Sequence, residues 1–193
     1  MLRRLYDWVM SLASGKLAKP SLAAVSFAES SFFPIPPDIM LIPMVISDRK
    51  SWIKIGLICT IASVAGALLG YAIGALLFEP IAKPILEFYG YLEKFEQFRN
   101  AFNEWGLLIV FVFGLTPFPY KVITIASGVT LLNLPIFIIS SLIARGLRFF
   151  LVAGLLYLFG EPIRDFIEKR LGLMFLLFCG LLIGGFVAIR YLH

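Results

Sequence analysis

The chain has 193 residues, of which 60% are hydrophobic and 15% charged, and its mean hydropathy is +0.93. A soluble domain carries about 45–50% apolar and about 25% charged residues. The composition therefore excludes an ordinary soluble fold and points to a single all-α integral membrane domain over 1–193. The net charge of +5 does not imply nucleic acid, because Lys and Arg gather at the ends of apolar runs, where cytoplasm-facing loops need them.

Residues 1–20 predict an amphipathic helix: Leu5, Trp8, Val9 and Leu12 share a face, with Arg3, Arg4 and Lys16 available for headgroups. The segment has no continuous apolar core, so no cleavable leader is expected and the first hydrophobic run should stay in the mature protein. Residues 21–47 are apolar but carry Glu29, Pro34, Pro36, Pro37, Asp38 and Pro43. Proline removes a helix donor and clashes with the preceding turn, so FFPIPPD cannot continue a helix. Each flanking arm falls short of the roughly 20 residues a crossing needs, which predicts a re-entrant hairpin.

Residues 53–78 predict a spanning helix, with Gly66, Gly70 and Gly74 on one small-residue face that lets another helix approach closely. Residues 79–104 place Ile81, Ile85, Phe88, Leu92, Phe95 and Phe102 on one stripe, continued by Trp105. They read as an interfacial amphipathic helix with Pro84 as its kink point. Residues 105–133 repeat the hairpin plan around TPFPYK, with Pro117 and Pro119 at the turn. Residues 134–159 are a second spanning helix that contains Arg145 and Arg148. Residues 160–170 are an amphipathic segment, and 171–190 are a further C-terminal spanning helix.

The two halves share a period. Pro34 and Pro117, Pro36 and Pro119, and Asp38 and Lys121 are each 83 positions apart, and Glu79-Pro80-Ile81 returns 82 positions later as Glu161-Pro162-Ile163. One spanning helix per unit would turn the second unit over relative to the first. Paired broken segments in such an inverted repeat point to a transport site near the midplane. If the first hairpin returns to its own side, Arg3, Arg4, Lys16, Lys19, Arg49, Lys50 and Lys54 share a face. The positive-inside rule makes that face, and the N-terminus, cytoplasmic.

At Glu29, FFPIPPD, TPFPYK and ARGLRFF the chain resembles the DedA family, also called the VTT or SNARE-associated domain, and within it the YqaA-like branch. The resemblance covers roughly residues 15–190. It implies two re-entrant hairpins facing each other across a bacterial inner membrane. It also implies lipid translocation: recycling of polyprenyl-phosphate carriers in bacteria, phospholipid scrambling in eukaryotic relatives, and dependence on the proton-motive force. Typical members carry arginines on both sides of the second proline turn. Here the upstream side reads Gly114-Leu115-Thr116 and the downstream cation is Lys121.

Charges at membrane depth cost roughly 2.5–3.5 kcal/mol on insertion scales and so mark function by default. Five qualify: Glu29, Asp38, Lys121, Arg145 and Arg148. A poorly solvated carboxyl holds its proton to higher pH, which makes Glu29, with Asp38, the candidate for proton coupling. The bland alternative for Glu29 is a structural pair with Arg145 or Arg148. Asp38 and Lys121 are equivalent in the repeat and would pair if the turns meet; Lys121 would otherwise serve as a point charge for a lipid phosphate. Arg145 and Arg148 project from one helix face and suit the same phosphate, because the guanidinium fork binds phosphate oxygens bidentately; the equal alternative is structural pairing with Glu29, Asp38 or unwound carbonyls.

Cys59 and Cys179 sit inside apolar runs and read as small buried hydrophobes. The only histidine is His193, so no metal, no cofactor and no histidine-based catalysis are expected. The reading is a flippase or translocase, not an enzyme, that moves an anionic phosphate-bearing lipid with protons as the coupling ion. A homo-oligomer is compatible with it. A proton-coupled small-ion or solute transporter would use the same carboxylates, and a non-transporting membrane organiser would use only the glycine face.

Overall fold

A computed structural model describes residues 17–116 and 118–160. The amphipathic segment expected over 1–20 (apart from its last four residues), Pro117, the 160–170 segment beyond Gly160 and the last predicted span, 171–190, lie outside the described residues. All regular elements among the described residues are helical. They are α1 (Ala18–Ser31), α2 (Asp38–Ser47), α3 (Trp52–Leu77), α4 (Lys83–Phe88), α5 (Leu92–Glu104), α6 (Gly106–Leu115), α7 (Tyr120–Val129) and α8 (Leu134–Phe159).

The helices break where the prolines fall. The Phe32 amide still reaches the Ala28 carbonyl as the cap of α1, the chain then leaves helix through Pro37, and α2 restarts with Pro37 as its N-cap. Asp38 then occupies the first turn of α2, where a carboxylate opposes the positive end of the helix dipole. The second break takes Thr116 into an extended conformation, and Pro119 precedes the first turn of α7. Proline suits both restarts because a first-turn residue has no helical acceptor for its amide in any case.

Among the described residues two helices are long and apolar enough to cross a membrane. α3 and α8 each have 26 residues, about 39 Å at 1.5 Å per residue. They run antiparallel. Trp52, opening α3, stacks on Tyr157 near the end of α8, while Tyr71, late in α3, packs on Phe137 near the start of α8. Their outer faces stay apolar and uncovered, with Ile53, Leu57 and Ile61 on α3 and Ile139, Ile143, Leu147 and Leu151 on α8 exposed. Apolar surface of that extent marks a lipid or partner contact.

The glycine face of α3 is the seat of both broken units. Gly66 lies against the Phe27 backbone of α1, Gly70 meets Thr124 of α7 and the Ser30 carbonyl of α1, and Gly74 meets the backbone of α7 at Ile125 and Val129. α7 returns the arrangement, since Gly128 lies against the Tyr71 carbonyl. The outer end of α7 is tied down as well. Tyr71 donates to the Leu132 carbonyl at 2.7 Å, and Arg99 and Asn103 of α5 both donate to the Thr130 carbonyl.

Pro84 does not break the amphipathic stretch. Helix continues from α3 through a π turn at Phe78–Ala82 into α4. The Lys83 amide reaches back to the Phe78 carbonyl, the wider spacing that lets a helix absorb the rings of Pro80 and Pro84. The chain turns instead at Gly90, whose φ of +69° only glycine adopts without strain. Phe78 and Phe95 then stack, and Phe102 is buried, so α5 folds back on the end of α3.

Candidate functional site

The five charged residues singled out above converge where the two helix breaks meet at mid-length of α3 and α8. Ser63 and Arg145 are each the twelfth residue of a 26-residue helix. Because the helices run antiparallel, they meet near the middle, with Arg145 Nε donating to Ser63 Oγ at 2.7 Å. The two are 82 positions apart, the offset that also separates the Glu-Pro-Ile motifs.

Arg145 is 1% exposed. Its Nη2 donates to Glu29 Oε2 at 2.6 Å, and Ser30 Oγ completes a polar knot by contacting that same Oε2 at 3.2 Å and Ser63 Oγ at 2.6 Å. Two aromatic rings pack against the guanidinium, whose carbon lies 4.9 Å from the Tyr120 ring centre and 4.6 Å from that of Phe149. Tyr120 is itself fixed by donating its hydroxyl to Ser141 Oγ at 2.6 Å. A buried charge is tolerated when it is paired and its donors are used, and removing one partner of such a pair costs about 3–5 kcal/mol.

One helical turn on, Arg148 makes the second pair. Its Nη2 donates to Asp38 Oδ2 at 2.6 Å and its Nη1 to the Thr116 carbonyl at 2.6 Å. Asp38 belongs to the first break and Thr116 to the second, so this one side chain ties the two breaks together. Asp38 and Arg148 each keep 12% of their side-chain surface exposed, against 11% for Glu29 and 1% for Arg145, so the two pairs differ in the openness of the arginine and not of the carboxylate. Lys121 donates to the Phe33 carbonyl at 3.3 Å, and Thr124 donates to the Ser30 carbonyl at 2.9 Å. Carbonyls freed by the breaks are thus met by side chains of the opposite unit, which is the condition for irregular backbone at membrane depth.

The Asp38–Lys121 pair suggested by their equivalent positions does not form. Asp38 goes to Arg148, and among the described residues Lys121 makes no ion pair. The bidentate reach of arginine from α8 lets it hold a carboxylate and a carbonyl at once, whereas the lysine is a single point of charge. Glu29 takes Arg145, the pairing that had been its bland alternative. Of the break prolines, Pro37 is buried while Pro34, Pro36 and Pro119 are exposed. Ser63, Tyr120 and Phe149 had not been singled out from the sequence. Tyr120 and Phe149 lie inside the TPFPYK and ARGLRFF motifs, and Ser63 is a hydroxyl in an otherwise apolar span at the repeat offset from Arg145.

Comparison with known proteins fits this arrangement. The VTT domain model matches residues 35–158, from within the first break through α3 and the second break to one residue short of the end of α8. An uncharacterised protein of Haemophilus influenzae is 40% identical over 167 residues, 86% of each chain. A Histophilus somni protein described as a homolog of HI0703 is 41% identical over 151 residues, 78% of each. The uncharacterised protein MJ0201 of Methanocaldococcus jannaschii is 29% identical over 104 residues, 54% of this chain and 62% of that one. No solved structure matches. With more than half its length matched by the domain model, and with its two long apolar helices, this chain belongs to the VTT-domain, or DedA, family of membrane proteins.

Proposed function

We propose that the protein is a translocase of the bacterial inner membrane that moves an anionic, phosphate-bearing lipid, a polyprenyl phosphate or a phospholipid, between leaflets, coupled to protons. Membership of the family suggests a transporter or flippase-type role and not an enzyme. The observation that carries the finer reading is the charge balance where the breaks meet. Three cations, Lys121, Arg145 and Arg148, face two carboxylates, Glu29 and Asp38, which leaves one positive charge over. A buried centre with excess positive charge attracts an anion, and arginine and lysine are the side chains that recognise phosphate. The same balance disfavours a cation as cargo, because both carboxylates are already neutralised.

In this reading α1–α2 and α6–α7 are re-entrant hairpins entering from opposite faces, and the N-terminal face is cytoplasmic. The lipid enters sideways between the broken units, its tail remaining in the bilayer. A carboxylate that loses its arginine to the headgroup takes a proton, which links transport to the proton gradient. The protein reconstituted in liposomes with a fluorescently tagged polyprenyl phosphate should move the tag between leaflets faster under a pH gradient than without one. Equal rates with and without the gradient would point to a scramblase, and no movement of tagged polyprenyl phosphate or phospholipid by folded protein would reject lipid as cargo.

A further inference from the structure

Within that reading, we infer that the two buried ion pairs divide the work: Arg148 exchanges Asp38 for the phosphate headgroup, while Arg145 is a positioning residue that never touches it. Arg145 has no open approach. Glu29 and Ser63 take its Nη2 and Nε, the Tyr120 and Phe149 rings pack against it, and it is 1% exposed. A phosphate could reach it only by displacing these neighbours. Its place at the crossing of α3, α8 and α1 makes it the pin on which those helices are set.

Arg148 differs on each count. Its pair with Asp38 is partly open, and its second donor holds a backbone carbonyl that stays in place when the carboxylate leaves. A phosphate oxygen replaces a carboxylate oxygen on the same Nη2 with no other contact broken. Lys121 sits alongside, half-buried, with one donor on the Phe33 carbonyl, and so supplies the first contact. Asp38 and the phosphate compete for the same Arg148 donor, so a proton that neutralises the carboxylate favours the lipid, and the linkage runs through Asp38 and not through Glu29. The charged and titratable groups around Asp38 are Arg148 and Arg145 on α8 and Cys59 on α3, with Glu29 on α1 and Lys121 on α7 flanking the break.

The test is binding of decyl methyl phosphate, a phosphodiester whose single charge is fixed across the neutral range, to the full chain in nanodiscs. The pH is stepped from weakly acid to weakly alkaline, and every variant is checked for folding by size exclusion. Wild-type affinity should rise as the pH falls. Asp38→Asn should bind about tenfold tighter at neutral pH and lose the pH dependence, because the competing carboxylate charge is gone. Arg148→Gln should lose binding. Ser63→Ala, which loosens Arg145 without adding or removing charge, should keep the wild-type affinity within about twofold and the wild-type pH profile. Glu29→Gln removes a negative charge from the centre and so should bind tighter at every pH, with the wild-type pH profile kept. Altered affinity in Ser63→Ala, or a flattened pH profile in either Arg145-side variant, would overturn the division and make Arg145 a ligand. Binding by wild type that Asp38→Asn leaves unaltered would also overturn it, while leaving the translocase reading intact. A wild-type protein that prefers decyl trimethylammonium to the phosphodiester would overturn both.

Discussion

The close contact of α7 with α3 at Gly128 makes a prediction that needs no assumption about cargo. A methyl group added at Gly128 would overlap the Tyr71 carbonyl and lie 2.8 Å from its carbon and 2.9 Å from the Ala75 nitrogen. All of these atoms are backbone of α3, so no rotamer change can relieve the overlap and the helices must move apart. Overpacking of a tight site costs about 1–3 kcal/mol, and rigid neighbours place this one at the upper end. Gly146, on α8, is the internal control. Its added methyl would meet only Thr60 Cγ2 at 3.7 Å, ordinary contact, so Gly146→Ala should gain the roughly 0.5–1 kcal/mol by which alanine exceeds glycine inside a helix. The two single-methyl changes should therefore differ by about 2–4 kcal/mol in opposite directions from wild type. Reversible unfolding in bicelles titrated with a denaturing detergent, followed by tryptophan fluorescence, measures the difference. Equal shifts for Gly128→Ala and Gly146→Ala would refute the close crossing of α3 and α7.

Glu29→Gln should destabilise by about 3–5 kcal/mol because it strands a sealed arginine, and Asp38→Asn by less because its pair is partly solvated. The cost of Glu29→Gln combined with Arg145→Gln should fall below the sum of the two single changes, as a double-mutant cycle in the same unfolding assay would show. Leu131 closes α7 with φ +52°, a left-handed conformation costing a non-glycine residue about 1–2 kcal/mol. Leu131→Gly should raise the unfolding midpoint and Leu131→Val should lower it. Tyr120→Phe removes the hydrogen bond with Ser141 but keeps the ring over Arg145. It should cost about 1 kcal/mol and leave lipid movement intact, whereas Tyr120→Ala should stop it.

Some of this molecule is plain along the chain. Proline's missing amide acts locally, so the interruptions after Ser31 and after Leu115 could be placed without knowing any neighbour. The family resemblance was legible for the same reason, since FFPIPPD, TPFPYK and ARGLRFF are contiguous strings that fall in or at the edge of the residues the VTT model matches. The continuation of helix through Pro84 was not legible. A π turn depends on which carbonyl an amide reaches, and spacing alone allowed a kink equally well.

The site divides along the same line. Charge in an apolar run costs free energy wherever it sits, so Glu29, Asp38, Lys121, Arg145 and Arg148 stood out from composition alone. Which arginine takes which carboxylate did not. Repeat symmetry suggested Asp38 with Lys121, yet the antiparallel crossing of α3 and α8 brings Arg148 within 2.6 Å of Asp38 and sets Arg145 between Glu29 and Ser63. The every-fourth-residue glycines announced a close approach without saying whose backbone would use it, and only the folded chain brings α1 and α7 there. Local covalent constraints and the cost of burying charge are properties of each residue and are written in the sequence. Which residue compensates which is a property of distances between segments 82 to 116 positions apart, and those distances exist only once the helices have packed.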